Sequence, residues 1–380
     1  MRILFSFIGG VGHFHPLIPV ARAAEAAGHE VAVAGSGALT AAIGAAGFRA
    51  FATSEVRSTV REPDREPPRL DPEADERQLR DGFADTGARR HTEHLPGIAA
   101  EFKPDVLVRD EVDLGAAIVA ELLGLPCATV IVLGSGGFLR KDLVAPPLHT
   151  LRADLGLPPD PGLAMLDRGL ILSPFPPSLR NPEFPLPDGA FHYRAASAPP
   201  PRRAAGTPTV YFTLGTVGIN LDLFSRVLAG LRELPATIVM TVGQGTDPAE
   251  FGPQPDHVRI ERYIPQDDLL PTVDLVVSHA GSGSLIGTLA HGLPTLLLPL
   301  SADQPHNARR CTALGFGQVL DPVTVTPDQV REAAQTVLAD PAYRVAAEHL
   351  RDEIDALPSV DATIPLIEQL ASTGVRSDTV

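Results

Sequence analysis

The chain has 380 residues, of which 44% are hydrophobic and 20% are charged. This composition excludes wholesale disorder and provides for two to three packed domains of about 150 residues each. The net charge of −15 at pH 7 repels nucleic-acid phosphates and anionic membranes, so neither is an expected partner. Two cysteines that form no CxxC pair, and the absence of an apolar run of about 18 residues, predict a cytoplasmic protein without disulfides or membrane spans.

The N-terminal half predicts repeated β-turn-α-β units of a parallel sheet. An apolar run at 2–8 has the length of a strand, and it is followed by a glycine turn, a helical pattern at 17–27 and a second strand at 29–34. The same order of strand, helix and strand recurs within 105–133. We therefore expect residues 1–194 to form one α/β domain.

Residues 61–81 interrupt this pattern. They are charged, rich in proline and nearly free of large apolar side chains. Two interpretations fit them: a solvated surface loop, or a mobile lid over a substrate site in the first domain.

A second α/β domain is predicted after a linker. Residues 195–208, AASAPPPRRAAGTP, are too rich in proline to form a helix or a central strand. The strand, turn and helix pattern restarts directly afterwards, so 209–358 is predicted to form a second open parallel-sheet domain. Residues 359–380 are predicted to be a last helix and a tail.

A histidine in the first glycine turn is the candidate general base. The segment IGGVGHFHP at 8–16 lacks the third glycine of a dinucleotide-binding turn, and no acidic ribose ligand follows the second strand. His13 instead stands at the carboxyl end of the first strand, where open α/β sheets bind ligands, and an imidazole titrates near neutral pH. The alternatives are a helix cap or an exposed side chain, and His15 competes for the role.

A carboxylate beside the base would orient it and compensate its charge after protonation. Asp110 ends the strand DVLVRD at the same edge of the sheet, with Glu111 and Asp113 as rivals. Asp110 could also cap the helix that begins near residue 112.

The second domain carries a candidate anion site. The segment SHAGSGSLIGTL at 278–289 predicts a strand, a turn of small residues and a helix, whose N–H groups and dipole favour an anion. His279, Ser282 and Ser284 add side-chain donors, and this set suits a diphosphate; an ordinary glycine turn is the alternative.

Two further segments follow strands of the second domain. Asp303 and Gln304 come after the strand at 295–298, and a carboxylate beside an amide suits vicinal hydroxyls. The segment YIPQ at 263–266 offers an aromatic face and an exposed backbone before a proline.

These motifs in this order resemble the family 1 glycosyltransferases of the GT-B fold, in the bacterial natural-product branch. GHFHP, DVLVRDE, TLGT, YIPQ, SHAGSGS, HGLP and ADQ together cover essentially the whole chain. The resemblance implies two Rossmann-like domains that face each other across a cleft, with a C-terminal helix that crosses back to the first domain. It also implies inverting transfer of a sugar or deoxysugar from a nucleoside diphosphate to a natural-product aglycone, such as a polyketide.

The resemblance implies roles for individual residues. His13 would take the acceptor proton, with Asp110 as its partner. Tyr263 would stack on the nucleobase, and the backbone of Ile264 would hydrogen-bond its edge. The other residues expected to contact the diphosphate or the sugar of the donor are Gly12, Gly215, Thr216, Gln266, His279, Gly281, Ser282, Gly283, Ser284, Asp303 and Gln304.

One departure from the family bears on the donor. Gly287 stands where plant relatives carry a glutamate that bridges the two ribose hydroxyls. Without that acceptor, the sequence favours a thymidine diphosphate over a uridine diphosphate donor. The chain has no D-x-D motif, so we expect the diphosphate to be held without a metal ion or any other cofactor.

Two alternatives stay open: a nucleotide-sugar 2-epimerase of the same fold, and a non-catalytic auxiliary protein related to glycosyltransferases. A phosphorylase is excluded because it needs a Schiff-base lysine in the second domain, whereas Lys103 and Lys141 both lie in the first. We expect the acceptor under residues 54–95 and beside the loop 134–138, whose glycines leave room for a bulky ligand. The identities of sugar and acceptor, the bond type and a homodimer are left open.

Overall fold

The computed structural model describes residues 1–55, 66, 68–195, 206–215 and 220–373. Their strands form two sheets of seven and six strands, and every neighbouring pair is parallel. The two-domain GT-B arrangement predicted from the sequence is confirmed.

The first sheet has the order β3-β2-β1-β4-β5-β6-β7. Its strands are β1 (Arg2–Ser6), β2 (Glu30–Gly35), β3 (Arg49–Ala52), β4 (Val106–Asp110), β5 (Cys127–Val130), β6 (Leu170–Ser173) and β7 (Phe191–His192). The helices that follow them are α1 (Val11–Phe14), α2 (Ile18–Ala26), α3 (Thr40–Ala45), α4 (Pro72–Arg77), α5 (Ala88–Phe102), α6 (Leu114–Leu123) and α7 (Lys141–Asp154). A π-helical segment, Gln78–Gly87, joins α4 to α5.

The second sheet has the order β10-β9-β8-β11-β12-β13. Its strands are β8 (Thr209–Thr213), β9 (Thr237–Thr241), β10 (Val258–Glu261), β11 (Leu275–Ser278), β12 (Thr295–Leu297) and β13 (Gly317–Val319). Its helices are α8 (Leu221–Leu231), α9 (Gln266–Leu269), α10 (Ser282–Ala290), α11 (Gln304–Ala313), α12 (Pro327–Ala339) and α13 (Pro341–Ala356).

The last helix, α14 (Thr363–Thr373), returns to the first domain. Ile364 and Ile367 are buried in the same apolar cluster as Phe5, Val20 and Val108, which belong to the first sheet and α2. Burial of two isoleucine side chains at about 2 kcal/mol each ties the end of the chain to the first domain. This confirms the predicted crossover helix.

The prediction for 61–81 is wrong over 72–81, which is helical. Asp71 caps α4 by accepting the N–H of Ala74, and Pro72 stands in the first turn. The helical pattern is weak in the sequence because Leu79 is the one large apolar side chain that 72–81 buries, and the charged side chains of this stretch stay in solvent.

Several predicted features lie outside the described residues: 61–65 and 67 of the predicted loop, 56–60 of the predicted acceptor region, 196–205 of the predicted linker, Thr216, and the tail 374–380. The domain boundaries proposed from the sequence stay predictions. Within the ranges that the structure covers, no helix is both long and apolar enough to cross a membrane.

Candidate active site

The carboxyl ends of strands from both sheets meet in one region. Ser282, after β11, accepts a hydrogen bond from the N–H of Gly134, after β5, at 2.8 Å. The Asn307 side chain on α11 accepts from the N–H of Ser135 at 3.1 Å. This edge is where open α/β sheets bind ligands, so the candidate site lies between the two domains.

His13 lies at the base of this region, on the first turn after β1. Its Nδ1 is 3.3 Å from Oδ2 of Asp110. The Phe83 ring, from the π-helical segment, lies 5.9 Å from the imidazole between centroids. His15 is exposed and lies beside Phe14, so the structure favours His13 over His15 as the base.

Gly9 makes room for this imidazole. Its φ of +98° lies in the region that favours glycine, and a Cβ there would come within 2.8 Å of Cδ2 of His13. Gly12, which was predicted to contact the donor, has no neighbour within 4 Å of a Cβ position.

The Asp110 carboxylate is fully buried and held by backbone donors. Oδ1 accepts from the N–H groups of Val112 and Asp113 at 2.7 Å each, and Oδ2 accepts from the N–H of Ile8 at 3.0 Å. These bonds fix the position of the carboxylate that faces His13.

The environment of His13 raises its pKa. Burial lowers the pKa of the imidazole, but the Asp110 carboxylate, together with smaller contributions from Asp303 and Glu111, more than offsets this. Asp303 belongs to the second domain, so carboxylates of both walls favour the protonated imidazole.

The two rival carboxylates are occupied elsewhere. Glu111 accepts from the N–H groups of Val132 and Leu133 at 3.2 and 3.0 Å. Asp113 caps α6 by accepting from Ala116, and it contacts the buried His91 imidazole at 2.9 Å. The helix cap considered for Asp110 is therefore provided by Asp113.

The N-terminus of α10 forms the candidate anion site. Its first-turn N–H groups, at Ser282, Gly283 and Ser284, have no partner inside the helix, and the helix dipole favours negative charge there. The Ser284 side chain is half-buried and Gly283 is exposed. Thr216, predicted to assist them, lies outside the described residues.

His279 lies between two glycines of this wall. A Cβ at Gly215 would approach its Cε1 to 2.9 Å, and a Cβ at Gly281 would approach its Nε2 to 2.5 Å. Burial lowers the pKa of His279 to about 4, so the imidazole is neutral at pH 7. A neutral imidazole still donates one N–H, which suits an anionic ligand.

The side chain of Ser282 is used differently from the prediction. Its hydroxyl donates to Oδ2 of Asp303 at 2.5 Å and accepts from Gly134 and Asn307. Only its backbone N–H remains at the helix N-terminus for a ligand. The expected side-chain donor at this position therefore joins the two domains instead.

Asp303 and Gln304 lie where the sequence predicts them, at the start of α11. Oδ2 of Asp303 also accepts from Asn307 at 2.8 Å, and burial raises its pKa. Oε1 of Gln304 accepts from the N–H groups of Leu300 and Ser301 at 2.8 and 3.2 Å. The carbonyl oxygen of Gln304 thus holds its own turn, and the amide nitrogen is the group left to face a ligand.

The predicted nucleobase site lies after β10. Tyr263 is 57% exposed, so its ring is accessible to a planar ligand. Ile264 packs against the buried cluster of Tyr211 and Leu270. Oε1 of Gln266 is 3.2 Å from the Cβ position of Gly287, so an amide occupies the space next to this glycine.

The expectation that the loop 134–138 leaves room for a ligand is wrong. A Cβ at Gly136 would come within 2.7 Å of the Arg180 guanidinium, and one at Gly137 within 2.5 Å of the His306 imidazole. These glycines allow close packing of protein groups, including one from the second domain.

Three side chains of the site were missed by the sequence analysis: Asp75, Phe83 and Asn307. Asn307 had a local signal, since it follows Asp303 by four residues on one helix and therefore shares its face. Asp75 lies in the predicted loop 61–81 and Phe83 lies just after it, and no local pattern marks either residue.

Among the residues that the structure describes, no group of three or more His, Cys, Asp or Glu side chains is arranged to hold a metal ion. The groups gathered here instead provide a histidine–carboxylate pair on one wall and N–H donors beside a second carboxylate on the other. Such a site can accept a proton on one side of a ligand and hold an anion on the other.

Comparison with known proteins places the chain among antibiotic-biosynthesis enzymes. Residues 225–370 match the family model for the C-terminal domain of erythromycin biosynthesis protein CIII-like proteins. The chain is 30% identical to L-demethylnoviosyl transferase of Streptomyces niveus, over 93% of this chain and 94% of that protein. It is 28% identical to 4'-demethylrebeccamycin synthase of Lentzea aerocolonigenes, over 97% and 99%.

A solved structure agrees in fold over the same length. The spinosyn rhamnosyltransferase SpnG, in complex with thymidine diphosphate, superposes with a TM-score of 0.78 at 26% identity. The match covers 97% of this chain and 100% of that chain. Both walls of the candidate site therefore lie within the region of similarity.

Proposed function

This chain belongs to the bacterial natural-product glycosyltransferases of the GT-B fold, and from that premise we propose that it transfers a deoxysugar from thymidine diphosphate to a small-molecule aglycone. We further propose that the transfer inverts the anomeric carbon and needs no metal ion. One observation carries the proposal: a histidine–carboxylate pair, His13 and Asp110, lies on one wall, opposite Asp303 and the N-terminus of α10 on the other wall.

His13 acts as the general base on the acceptor. Its Nδ1 faces Asp110, so Nε2 is the nitrogen that takes the proton of the acceptor hydroxyl. As the acceptor oxygen bonds to the anomeric carbon, the bond from that carbon to the diphosphate breaks on the opposite side. The new imidazolium is stabilised by the carboxylates of Asp110 and Asp303.

The second domain stabilises the leaving group. The electron pair of the broken bond goes to the diphosphate, whose added charge falls on the first-turn N–H groups of α10 and on the neutral His279 imidazole. These donors are held in place before the reaction, so they need little reorganisation. They would do the work that a divalent ion does in metal-dependent transferases.

The donor preference rests on Gly287 and its surroundings. A carboxylate that could accept from a ribose 2′-hydroxyl is absent at this position, and the neighbouring group is the Gln266 amide. SpnG, the relative with the similar structure, was solved with thymidine diphosphate. Both points support a donor that lacks the 2′-hydroxyl.

An aglycone is the proposed acceptor. Phe83 lies half-buried against His13 and gives the base an apolar neighbour suited to a flat or apolar molecule. The relatives described above are named as transferases or synthases, which favours transfer over the epimerase and auxiliary-protein alternatives.

Calorimetric titration with thymidine diphosphate and uridine diphosphate, each with and without a chelator, tests the donor site. We expect tighter binding of thymidine diphosphate and no effect of the chelator. Product analysis with thymidine diphosphate sugars and a panel of aglycones then tests transfer. If the folded protein binds neither nucleotide, the proposed function is wrong.

A further inference from the structure

One hydrogen bond links the first domain to the turn that precedes Asp303. The Asp75 carboxylate, on α4, accepts from the backbone N–H of Ala302 at 3.0 Å, although the two residues are 227 positions apart. Asp75 is half-buried, and burial raises its pKa. This is a charge-assisted hydrogen bond between the first domain and a turn of the second domain.

The turn that receives this bond has an unfavourable backbone conformation. Ala302 has a φ of +57°, in the left-handed region that residues with a Cβ rarely adopt. Its side chain packs against an apolar cluster of the first domain that includes Leu79 and Phe138. The first domain therefore provides both a hydrogen-bond acceptor and a packing surface for this residue.

The conformation of Ala302 determines where the next two residues lie. Asp303 directs its carboxylate to Ser282 and Asn307, and Gln304 folds its carbonyl oxygen back onto Leu300. Among the hydrogen bonds of the residues that the structure describes, neither side chain is bonded to Asp75. A change at Asp75 would therefore reach them only through the backbone of the turn.

The helical segment that carries Asp75 also contacts the base. It runs without interruption from α4 into the π-helical segment, where Phe83 lies against the His13 ring. One stretch of the first domain thus contacts the base at one end and the turn before Asp303 at the other.

We propose that Asp75 is a positioning residue for the donor sugar: by accepting from Ala302, it holds the turn in the conformation that presents Asp303 and Gln304 to the sugar hydroxyls. The inference rests on the proposed function, because it takes these two residues as the sugar site. It follows that the sugar site is complete only while α4 of the acceptor domain is docked on the second domain.

Hydrogen exchange of the turn tests the bond itself. In the full-length protein without ligand, Asp75→Ala should speed exchange of the Ala302 amide, whereas Asp75→Asn should largely restore protection because an amide oxygen can still accept. The matched control is Glu73→Ala on the same helix, where Glu73 is exposed and 3.6 Å from Arg77. Unchanged exchange in Asp75→Ala would overturn the proposal.

Calorimetry with thymidine diphosphate and thymidine diphosphate glucose tests the consequence. We expect Asp75→Ala to weaken binding of the nucleotide sugar by about fivefold to tenfold, as for loss of the net contribution of a typical hydrogen bond, with less than a twofold change for thymidine diphosphate alone. Asp303→Ala should show the same selective loss, and Glu73→Ala none.

The outcomes separate the two proposals. If the wild-type protein binds neither compound, the proposed function fails, and the exchange measurement still judges the bond. If the wild-type protein binds both and Asp75→Ala weakens them equally or not at all, the positioning role of Asp75 is wrong while the proposed function stands.

Discussion

The two walls of the cleft are built by different means. The second domain presents backbone N–H groups at the start of α10, and glycines at 215 and 281 let the His279 ring lie close to them. The first domain presents side chains: the His13 imidazole, and the Asp110 carboxylate that three backbone N–H groups hold in place. In the proposed mechanism, the second-domain wall binds the diphosphate through backbone N–H groups, and the first-domain wall acts through the His13–Asp110 pair.

This difference predicts unequal sensitivity to substitution. Backbone donors survive a change of side chain, so single substitutions on the second wall should cost little in diphosphate binding. On the first wall, the proposed mechanism depends on the His13 imidazole as its base. Substitutions that test this contrast should have their largest effect on His13.

Removing the base is expected to have the largest effect. His13→Ala should lower turnover by roughly 10²- to 10⁴-fold, or about 3–5 kcal/mol of activation free energy, because it removes the proposed acceptor of the proton. Binding of thymidine diphosphate, measured by calorimetry, should change by less than about twofold. His15→Ala is the control and should keep its turnover; a loss below tenfold in His13→Ala would remove His13 from the role of base.

Weakening the partner of the base should have an intermediate effect. His13 must be unprotonated to act, so turnover should fall as the pH drops through its pKa, which lies above the usual 6.5. Asp110→Asn removes the charge that raises this pKa, and burial then lowers it. The acidic limb of the pH profile should therefore move to lower pH, with a maximal rate lower by about tenfold to a hundredfold.

The pH profile of a second variant controls for this interpretation. Glu111→Gln removes a carboxylate that affects His13 only weakly, so its acidic limb should move in the same direction by a smaller amount. A limb that stays in place in Asp110→Asn, or moves to higher pH, would contradict the assigned pairing.

The parts of the fold that could be predicted are those marked by signals close together in the sequence. Helices α6 and α8 lie within the stretches where the sequence predicts a helix between two strands, because local signals enclose them: Asp113 caps α6, Gly124 ends it, and Asn220 caps α8. Helix α4 and the π-helical segment were missed. Their apolar side chains are too few to mark a helical face in the sequence.

The residues of the site also divide into those marked by a local sequence pattern and those brought together by contacts between distant residues. The anion turn at α10 could be predicted because its glycines and its helix start are neighbours in the sequence. The bonds of Gly134 to Ser282 and of Asp75 to Ala302 could not, since they join residues 148 and 227 positions apart and depend on how the domains dock. Glycines at 136 and 137 were misread for the same reason, because the groups that fill their space come from distant parts of the chain.

The smallest expected effect concerns His279, a titrating side chain of the second-domain wall. His279 has a pKa of about 4 in the folded chain, against an ordinary value of 6.5 when unfolded. Between these values the unfolded chain binds the extra proton, so the stability that His279 contributes is complete above pH 6.5 and is lost as the pH falls towards 4. His279→Gln should lack this loss.

Unfolding by denaturant at pH 7.5 and pH 4.5, followed by circular dichroism because the chain has no tryptophan, measures the difference. The wild-type protein should lose more stability between the two values than His279→Gln, by on the order of 1 kcal/mol after allowance for the partial exposure of the ring. His15 and His306, whose pKa values burial also lowers, are present in both proteins and cancel. An equal loss in both proteins would mean that His279 is not held neutral in the fold, and the neutral imidazole donor would have to be removed from the diphosphate site while the N–H groups of α10 remain.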